Sequence, residues 1–245
     1  MTRREFEYAI HRKLLEFGWR VQRATPAPKG WEANRTYWEP AYLRRLGFRP
    51  GTLIDVGVGH GTPQLYAAFP DAFLVLVEPL REFDEDIREI LKARHGVHIP
   101  ATAAAAAGER ELGVEPRWTE RSSFYSRYRL EVTGDAVAAR RIPLVTLDSI
   151  AAAHAWREPF GLKIDAEGAE LEILQGAAAT LKKCEFAIAE VSVLDRFEGS
   201  YTFAGFIAAM DQAGFAPCDL LGIGRAGGSE VSFVDLVFRR KDRVL

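Results

Sequence analysis

Two short stretches combine glycines and carboxylates in patterns that could bind a ligand and act on it. The first, LIDVGVGHGT at residues 53–62, places Gly57, Gly59 and Gly61 directly after an apolar run. Glycines there permit positive φ angles and let a ligand approach the backbone closely. The second, LKIDAEGAE at residues 162–170, concentrates acids where another apolar run meets a helical pattern. Carboxylates at such a junction could orient a hydroxyl group or remove its proton.

The position of Glu78 indicates what kind of ligand the glycines could bind. Glu78 follows the apolar run AFLVLV and stands 21 residues after Gly57. An acid at the end of the second strand of a nucleotide-binding unit can accept hydrogen bonds from ribose hydroxyls. The glycine spacing is GxGxG, with Thr62 at the last position of a GxGxxG pattern, which disfavours a dinucleotide. We therefore predict a ribose-containing cofactor, with a plain turn and a surface glutamate as the alternative.

The acidic stretch contains more charge than helix capping explains. Capping of the following helix accounts for one of Glu167 and Glu170. It does not account for Asp165, nor for Lys163 inside an otherwise apolar strand. A buried lysine is costly unless it is paired, so we expect Lys163 to contact a carboxylate.

These stretches belong to an alternating series of strands and helices. The predicted strands are 52–58, 72–78, 97–107, 160–166, 185–193, 217–223 and 231–239. The predicted helices between them are 61–69, 81–96, 169–183 and 202–215. Strands that are apolar on both faces and alternate with helices indicate a parallel sheet covered on both sides. We predict an α/β fold: a doubly wound, mostly parallel, seven-stranded Rossmann-like sheet with one antiparallel strand.

The chain outside this series divides into an N-terminal extension and an insertion. Residues 1–50 are predicted to form a helical extension and loop, because Phe6, Ile10, Leu14 and Phe17 repeat at helical spacing. Residues 51–245 then form the Rossmann-like domain. Within it, residues 108–148 lack a clear helix and are rich in arginine and aromatic residues, which predicts a β-rich insertion.

Composition excludes several classes of function. A net charge of −2 gives no electrostatic basis for binding nucleic acid or an anionic membrane. No apolar run approaches the ~20 residues of a membrane span. The two cysteines, Cys184 and Cys218, have no spacing typical of a zinc site. With no signal-peptide pattern, the chain is predicted to be cytoplasmic, and the sequence leaves open whether it forms an oligomer.

Four stretches resemble the FkbM family of S-adenosylmethionine-dependent methyltransferases. They occur in the family's order, and they are LIDVGVGHGT, VLVEP at 75–79, RIPLVTLDSI at 141–150 and LKIDAEGAELEILQGA at 162–177. Two places differ from the family's usual pattern. His60 lies where an Asn-Xaa-Gly sequence is usual, and Ser192 lies where a histidine is usual near Glu190.

The resemblance implies O-methyl transfer from S-adenosylmethionine to a hydroxyl of a small molecule or sugar. The residues implied for cofactor binding fall into groups for the methionine half, the ribose and the adenine. They are Asp55, Gly57, Gly59 and Gly61 for the first, Glu78 for the second, and Pro79, Leu80 and Ala103 or Ala104 for the third. Val58, Thr62 and Asp165 are also expected to line the cofactor site.

Asp165 is the first candidate for the base or for the group that orients the acceptor, followed by Glu190 and Glu167. A divalent cation held by Asp165 and Glu190 could lower the pKa of a diol acceptor, but we do not expect one. A loop histidine is more often a positioning or solvent-exposed residue, so His60 ranks below the acids. Five residues of the insertion are predicted to line the acceptor side: Arg121, Ser122, Ser123, Tyr125 and Arg127.

Two other functions stay open on the sequence. A nicotinamide-dependent oxidoreductase would need a GxGxxG turn and usually a Tyr-Lys proton relay, and neither is found. A non-catalytic protein that binds S-adenosylmethionine would keep the glycine turn but show no turnover.

Overall fold

The computed structural model describes residues 38–116, 118–128, 137–226 and 230–242. The predicted helix around Phe6 to Phe17 and the loop at 23–36 lie outside the described residues, so the division at residue 50 stays a prediction. None of the helices in the described ranges is long and apolar enough to cross a membrane.

In the part of the chain that the structure describes, ten strands form two sheets. In chain order they are β1 (Thr52–Val56), β2 (Phe73–Val77), β3 (Gly96–Ile99), β4 (Thr102–Ala103), β5 (Gly108–Val114), β6 (Ala138–Val145), β7 (Phe160–Ile164), β8 (Cys184–Ser192), β9 (Phe215–Ala226) and β10 (Glu230–Arg240). The large sheet has the order β3-β2-β1-β7-β8-β10-β9. In this sheet, β10 runs opposite to the other six strands. The predicted seven-stranded, mostly parallel sheet with one antiparallel strand is therefore confirmed.

Within the described ranges, seven α-helices accompany these strands. They are α1 (Pro40–Arg45), α2 (Pro63–Ala68), α3 (Asp84–Ala93), α4 (Leu147–Ala152), α5 (Glu170–Gln175), α6 (Ala178–Lys183) and α7 (Phe203–Gln212). The single helix predicted over 169–183 is in fact two helices, α5 and α6. The break lies at Gly176, where a Cβ atom would stand 2.0 Å from the carbonyl oxygen of Ala104. The close approach of the Ala104 backbone therefore requires a glycine.

The insertion forms a second, three-stranded sheet in the order β4-β6-β5. The strand predicted over 97–107 is split, because β3 belongs to the large sheet and β4 to the small one. Pro100 lies between them and has no N–H group with which to continue a ladder. The β-rich character predicted for the insertion is confirmed, although α4 begins before its predicted end at residue 148.

The large sheet is buried on both faces, which fixes where the site can form. All residues of β1 and β7 are buried. Along β1, Leu53 packs into one apolar cluster, whereas Ile54 and Val56 pack into the other on the opposite face. The chain winds from β1 toward β2 on one side and from β7 toward β8 on the other. The carboxyl ends of β1, β2 and β7 therefore meet at the point where the winding reverses, the usual ligand crevice of such sheets.

Candidate active site

The loop after β1, hereafter the glycine loop (residues 57–61), is shaped by three glycines with positive φ. The angles are +72° at Gly57, +51° at Gly59 and +90° at Gly61. A Cβ atom at Gly57 would stand 1.7 Å from the carbonyl oxygen of Asp165, so the loop and the end of β7 touch through their backbones. At Gly59 a Cβ atom would meet nothing within 4 Å. This glycine borders open space, where a ligand could approach the backbone.

Glu78 ties the glycine loop to the end of β2. Its Oε2 accepts a hydrogen bond from the amide of Gly59 at 3.0 Å, and its Oε1 accepts one from the amide of Leu80 at 3.0 Å. The side chain is buried, which raises the pKa of the Glu78 carboxyl, while the two amide hydrogen bonds oppose that shift. Glu78 thus stands beside the glycine loop, where the sequence analysis expected a ribose-binding acid.

Asp55 lies below the loop and is fully buried. Its Oδ2 accepts hydrogen bonds from the hydroxyls of Thr62 at 3.1 Å and Tyr66 at 2.5 Å. Burial raises the pKa of Tyr66, and the negative charge of Asp55 adds to the shift, so the phenol stays a donor. Asp55 therefore braces the start of α2 from beneath the crevice.

Lys163 is buried between Asp55 of β1 and Asp165 at the end of β7. Its Nζ donates to the carbonyl of Gly57 at 2.9 Å and lies 3.2 Å from Asp55 Oδ1 and 3.5 Å from Asp165 Oδ2. The expected pairing of Lys163 with a carboxylate is confirmed. The contact with Asp55 is an ion pair without hydrogen-bond geometry. Burial alone would lower the pKa of Lys163, but the charges of Asp55 and Asp165 outweigh it and raise the pKa.

The turn between β7 and α5 (residues 165–168, hereafter the β7–α5 turn) brings the predicted catalytic acids together. The side chain of Asp165 is 39% exposed, whereas Glu167 and Glu190 are largely covered. Arg196, which no motif marks in the sequence, donates to both: Nη1 to Glu190 at 2.5 Å and Nη2 to Glu167 at 3.0 Å. Burial raises the pKa of Glu190, the charge of Asp165 raises it further, and Arg196 opposes the shift.

Glu170 holds the β7–α5 turn through its backbone. Its carboxylate accepts hydrogen bonds from the amides of Ala166 at 2.9 Å and Gly168 at 3.1 Å. The residue is fully buried, which raises its pKa to about 7, although the amide hydrogen bonds lower it. Glu170 lies in the first turn of α5, as a capping glutamate would, but its carboxylate binds amides of the preceding turn.

Two of the five predicted acceptor residues reach the β7–α5 turn. The Ser123 hydroxyl donates to the carbonyl of Glu167 at 2.6 Å, and Arg127 Nη2 lies 2.8 Å from the Glu167 carboxylate. The other three contact different groups: Tyr125 donates to Glu172 on α5, Ser122 donates to Thr119, and the Arg121 carbonyl accepts from Arg127.

The residues predicted to surround adenine lie at the ends of β2 and β4. Leu80, Ala103 and Ala104 are buried, as is Val58 in the glycine loop. Pro79 lines a cleft of about 1080 Å³. Arg81, His98 and Arg140 are also among the residues of its wall.

The side chain of His60 contacts residues at the start of α3. Its side chain is 69% exposed, Nδ1 lies 2.8 Å from Asp86 on α3, and the ring packs edge-on against Phe83. These contacts fit the positioning role that the sequence analysis favoured for this histidine.

A further acid near the crevice, Asp235, is not marked by any motif in the sequence. It lies opposite Glu190 in the β8–β10 pair and accepts a hydrogen bond from Trp38 Nε1 at 2.9 Å. Burial raises its pKa, and the charge of Asp165 adds to the shift. Strand register brings it to Glu190, and register between β8 and β10 is not readable from a motif. Within the described ranges, no group of three or more His, Cys, Asp and Glu side chains is arranged to hold a metal ion.

A protein-family model, that of the methyltransferase FkbM domain, matches residues 53–217 of the chain. No curated protein matches the sequence. Among solved structures, methyltransferase FkbM from Methylobacillus flagellatus KT is 14% identical, with a TM-score of 0.48 over 82% of this chain and 50% of that one. The chain thus spans half the length of that protein.

Two further structures are similar at the same level. Magnesium protoporphyrin IX methyltransferase from Synechocystis PCC 6803, with bound SAM, is 12% identical, with a TM-score of 0.45 over 82% of this chain and 76% of that one. The 1,6-didemethyltoxoflavin-N1-methyltransferase of Burkholderia thailandensis, with bound S-adenosylhomocysteine, is 14% identical, with a TM-score of 0.42 over 83% of this chain and 76% of that one.

Proposed function

Because the chain belongs to the FkbM methyltransferase family, we propose that it transfers a methyl group from S-adenosylmethionine to a hydroxyl group of a small molecule or sugar. One observation carries this proposal: the glycine loop, Glu78 and Asp165 lie together at the carboxyl ends of β1, β2 and β7. Parallel α/β sheets bind ligands at this point, where the winding reverses.

The residues at the crevice fit the cofactor. Open space at Gly59 leaves room for a ligand against the loop backbone, which we assign to the methionine half. The Glu78 carboxylate can accept hydrogen bonds from ribose hydroxyls. The small side chains of Ala103 and Ala104, with Leu80, suit the flat face of adenine. S-adenosylmethionine supplies an electrophilic methyl group, so the protein has to align the acceptor and take up its proton.

We assign to Asp165 the removal of the proton from the acceptor hydroxyl. It is the most exposed of the clustered acids, and its nearest cation, Lys163, is 3.5 Å away and has shorter contacts elsewhere. An accessible carboxylate can accept a hydrogen bond from a hydroxyl and then its proton. Glu190 and Glu167 are held by Arg196, and we assign them to orienting the acceptor and the turn. No step requires a metal ion.

The proposal also covers the class of acceptor and the cellular compartment. We propose a small hydroxyl compound as the acceptor, and the small net charge argues against nucleic acid or an anionic membrane as partner. The scarcity of cysteine fits the cytoplasm.

Calorimetric titration with S-adenosylmethionine and S-adenosylhomocysteine tests the proposal. We expect micromolar binding of both. Glu78→Gln should weaken it several-fold, because the ribose hydroxyls lose a charged acceptor. The matched control is Glu89→Gln, since Glu89 is exposed on α3 and paired with Lys92. Absence of binding would contradict the proposal, and a parallel titration with NADH tests the oxidoreductase alternative. Binding without turnover of any hydroxyl compound would favour the non-catalytic alternative.

A further inference from the structure

The β7–α5 turn lies between the glycine loop and the acceptor side of the crevice. On one side, the carbonyl of Asp165 touches Gly57 so closely that no side chain fits between them. On the other side, a Cβ atom at Gly168 would stand 2.9 Å from the ring of Phe197, and the Ser200 hydroxyl donates to the Gly168 carbonyl at 2.6 Å. A movement of this turn would therefore displace groups on both sides.

Glu167 gives the turn an unusual backbone. Its φ angle is +48°, in the left-handed region, which is unfavourable for a residue with a side chain. It is the only residue other than glycine with positive φ among the described ranges. Such a conformation persists only where surrounding contacts enforce it, and such residues cluster at functional sites.

Three contacts enforce this conformation. Arg127 and Arg196 both reach the Glu167 carboxylate, at 2.8 and 3.0 Å, and Ser123 donates to its carbonyl. Burial of Glu167 raises the pKa of its carboxyl, and the negative charge of Asp165 raises it further. The two arginine cations oppose these effects.

The two arginines are themselves fixed in place. The guanidinium of Arg196 lies 4.6 Å from the ring centre of Phe233 and 5.0 Å from that of Phe197, and Arg127 lies 4.7 Å from that of Phe197. The backbone also joins the two segments, since the amide of Tyr128 donates to the Arg196 carbonyl at 3.0 Å. The insertion and the loop after β8 thus act on the turn as one unit.

We propose that Arg127 and Arg196 are positioning residues that act through Glu167. They hold the β7–α5 turn, and the turn holds Asp165 and the glycine loop in the arrangement that binds the cofactor. The inference rests on the proposed function, because it assigns the affinity for the cofactor partly to residues on the acceptor side. Neither arginine has to touch the cofactor for this effect.

Calorimetry with S-adenosylhomocysteine tests the inference on the variants Arg127→Gln, Arg196→Gln and Glu167→Gln. Each should bind about fivefold more weakly or worse, a loss typical of coupling between separate sites. Arg196→Lys should recover part of the affinity, because it restores the charge. The matched control is Arg110→Gln: Arg110 also belongs to the insertion and stacks on Phe124, but it pairs with Glu172 on α5. Its affinity should equal that of the wild type.

Amide hydrogen exchange provides a second readout that does not depend on ligand. The amides of Gly57, Gly59 and Gly61 should exchange faster in Arg127→Gln and Arg196→Gln, while those of the buried strand β1 stay protected. Protection of β1 also shows that the variants are folded. Glu167→Gly relieves the backbone strain but removes the carboxylate, so it should bind as weakly as Glu167→Gln.

The outcomes separate the two proposals. If the wild type does not bind S-adenosylhomocysteine, the proposed function fails, and exchange at the glycine loop still tests the positioning role. If the wild type binds, folded arginine variants with unchanged affinity and exchange would overturn the inference. An equal loss in Arg110→Gln would also overturn it, because the effect would then belong to the insertion in general.

Discussion

Lys163 and Asp55 face each other across the two central strands of the sheet, with Nζ 3.2 Å from Oδ1. They are register partners in the parallel β1–β7 pair, and both are buried. The same ammonium group donates to the carbonyl of Gly57, which begins the glycine loop. One cation therefore joins the strand that carries the glycine loop to the strand that carries Asp165.

Removal of this cation should destabilise the fold strongly. Lys163→Met leaves Asp55 buried with an uncompensated charge, and breaking a buried ion pair in this way costs about 3–5 kcal/mol. The free energy of unfolding, measured in urea, should fall by this amount. The double variant Lys163→Met with Asp55→Asn should recover much of the loss, because the stranded charge is gone. A loss of less than about 1 kcal/mol in the single variant would show that the stability of the fold does not depend on this ion pair.

The two neighbouring glycines should respond very differently to alanine. At Gly57 the methyl group would collide with the carbonyl of Asp165, which cannot move without shifting the β7–α5 turn. At Gly59 the methyl group meets open space, and only the positive φ costs free energy, about 1–2 kcal/mol. We expect Gly57→Ala to abolish binding of S-adenosylhomocysteine. Gly59→Ala should remain folded at the temperature of the assay, and equal effects of both changes on stability would contradict the structure.

Glu170 predicts how stability depends on pH. Its folded-state pKa is about 7, above the ordinary value of a glutamate, because it is buried. Between pH 4.5 and 7 the folded chain therefore holds a proton that the unfolded chain releases. As pH rises through this window, the free energy of unfolding should fall by up to about 3 kcal/mol relative to that of Glu170→Gln. Above the window it should level off. Urea unfolding at pH 5 and pH 8 gives the free energy of unfolding of both proteins. A wild type that gains stability relative to Glu170→Gln between pH 5 and pH 8 would contradict the raised pKa of Glu170.

The sequence was sufficient for the parallel core and for placing the glycine loop, Glu78 and Asp165 at strand ends. Glycines and an acid at strand ends are local signals, so the glycine loop, Glu78 and Asp165 could be placed before their contacts were known. Strand breaks were harder to predict. The division between β3 and β4 at Pro100 and the break at Gly176 depend on which backbone approaches, which a single sequence does not contain.

The ion pairs and strand neighbours of Glu167 and Glu190 were less accessible to prediction for the same physical reason. Arg196 is an isolated basic residue in a loop, and its partners Glu190 and Glu167 come from two other elements. Asp235 meets Glu190 only through the register of β10 against β8. Long-range pairs of this kind arise from tertiary packing, whereas motifs report residues that are close in the chain.

Asp148 shows that a motif shared with the family can be structural. It belongs to the stretch RIPLVTLDSI, yet its carboxylate accepts hydrogen bonds from the amides of Ala179 at 2.9 Å and Thr180 at 2.7 Å, and from the Thr180 hydroxyl at 2.8 Å. These contacts hold the start of α6. Asp148→Ala leaves the buried hydroxyl without its acceptor and should cost about 1–3 kcal/mol.

The affinity for S-adenosylhomocysteine should not change in Asp148→Ala, because α6 lies after the β7–α5 turn and α5 and does not border the glycine loop. Urea unfolding and calorimetry on the same preparation separate the two effects. Ser149→Ala is the control, since Ser149 is exposed and makes only local bonds to Thr146. A loss of affinity at unchanged stability would instead place Asp148 in the site, and the shared motif would then mark function instead of folding.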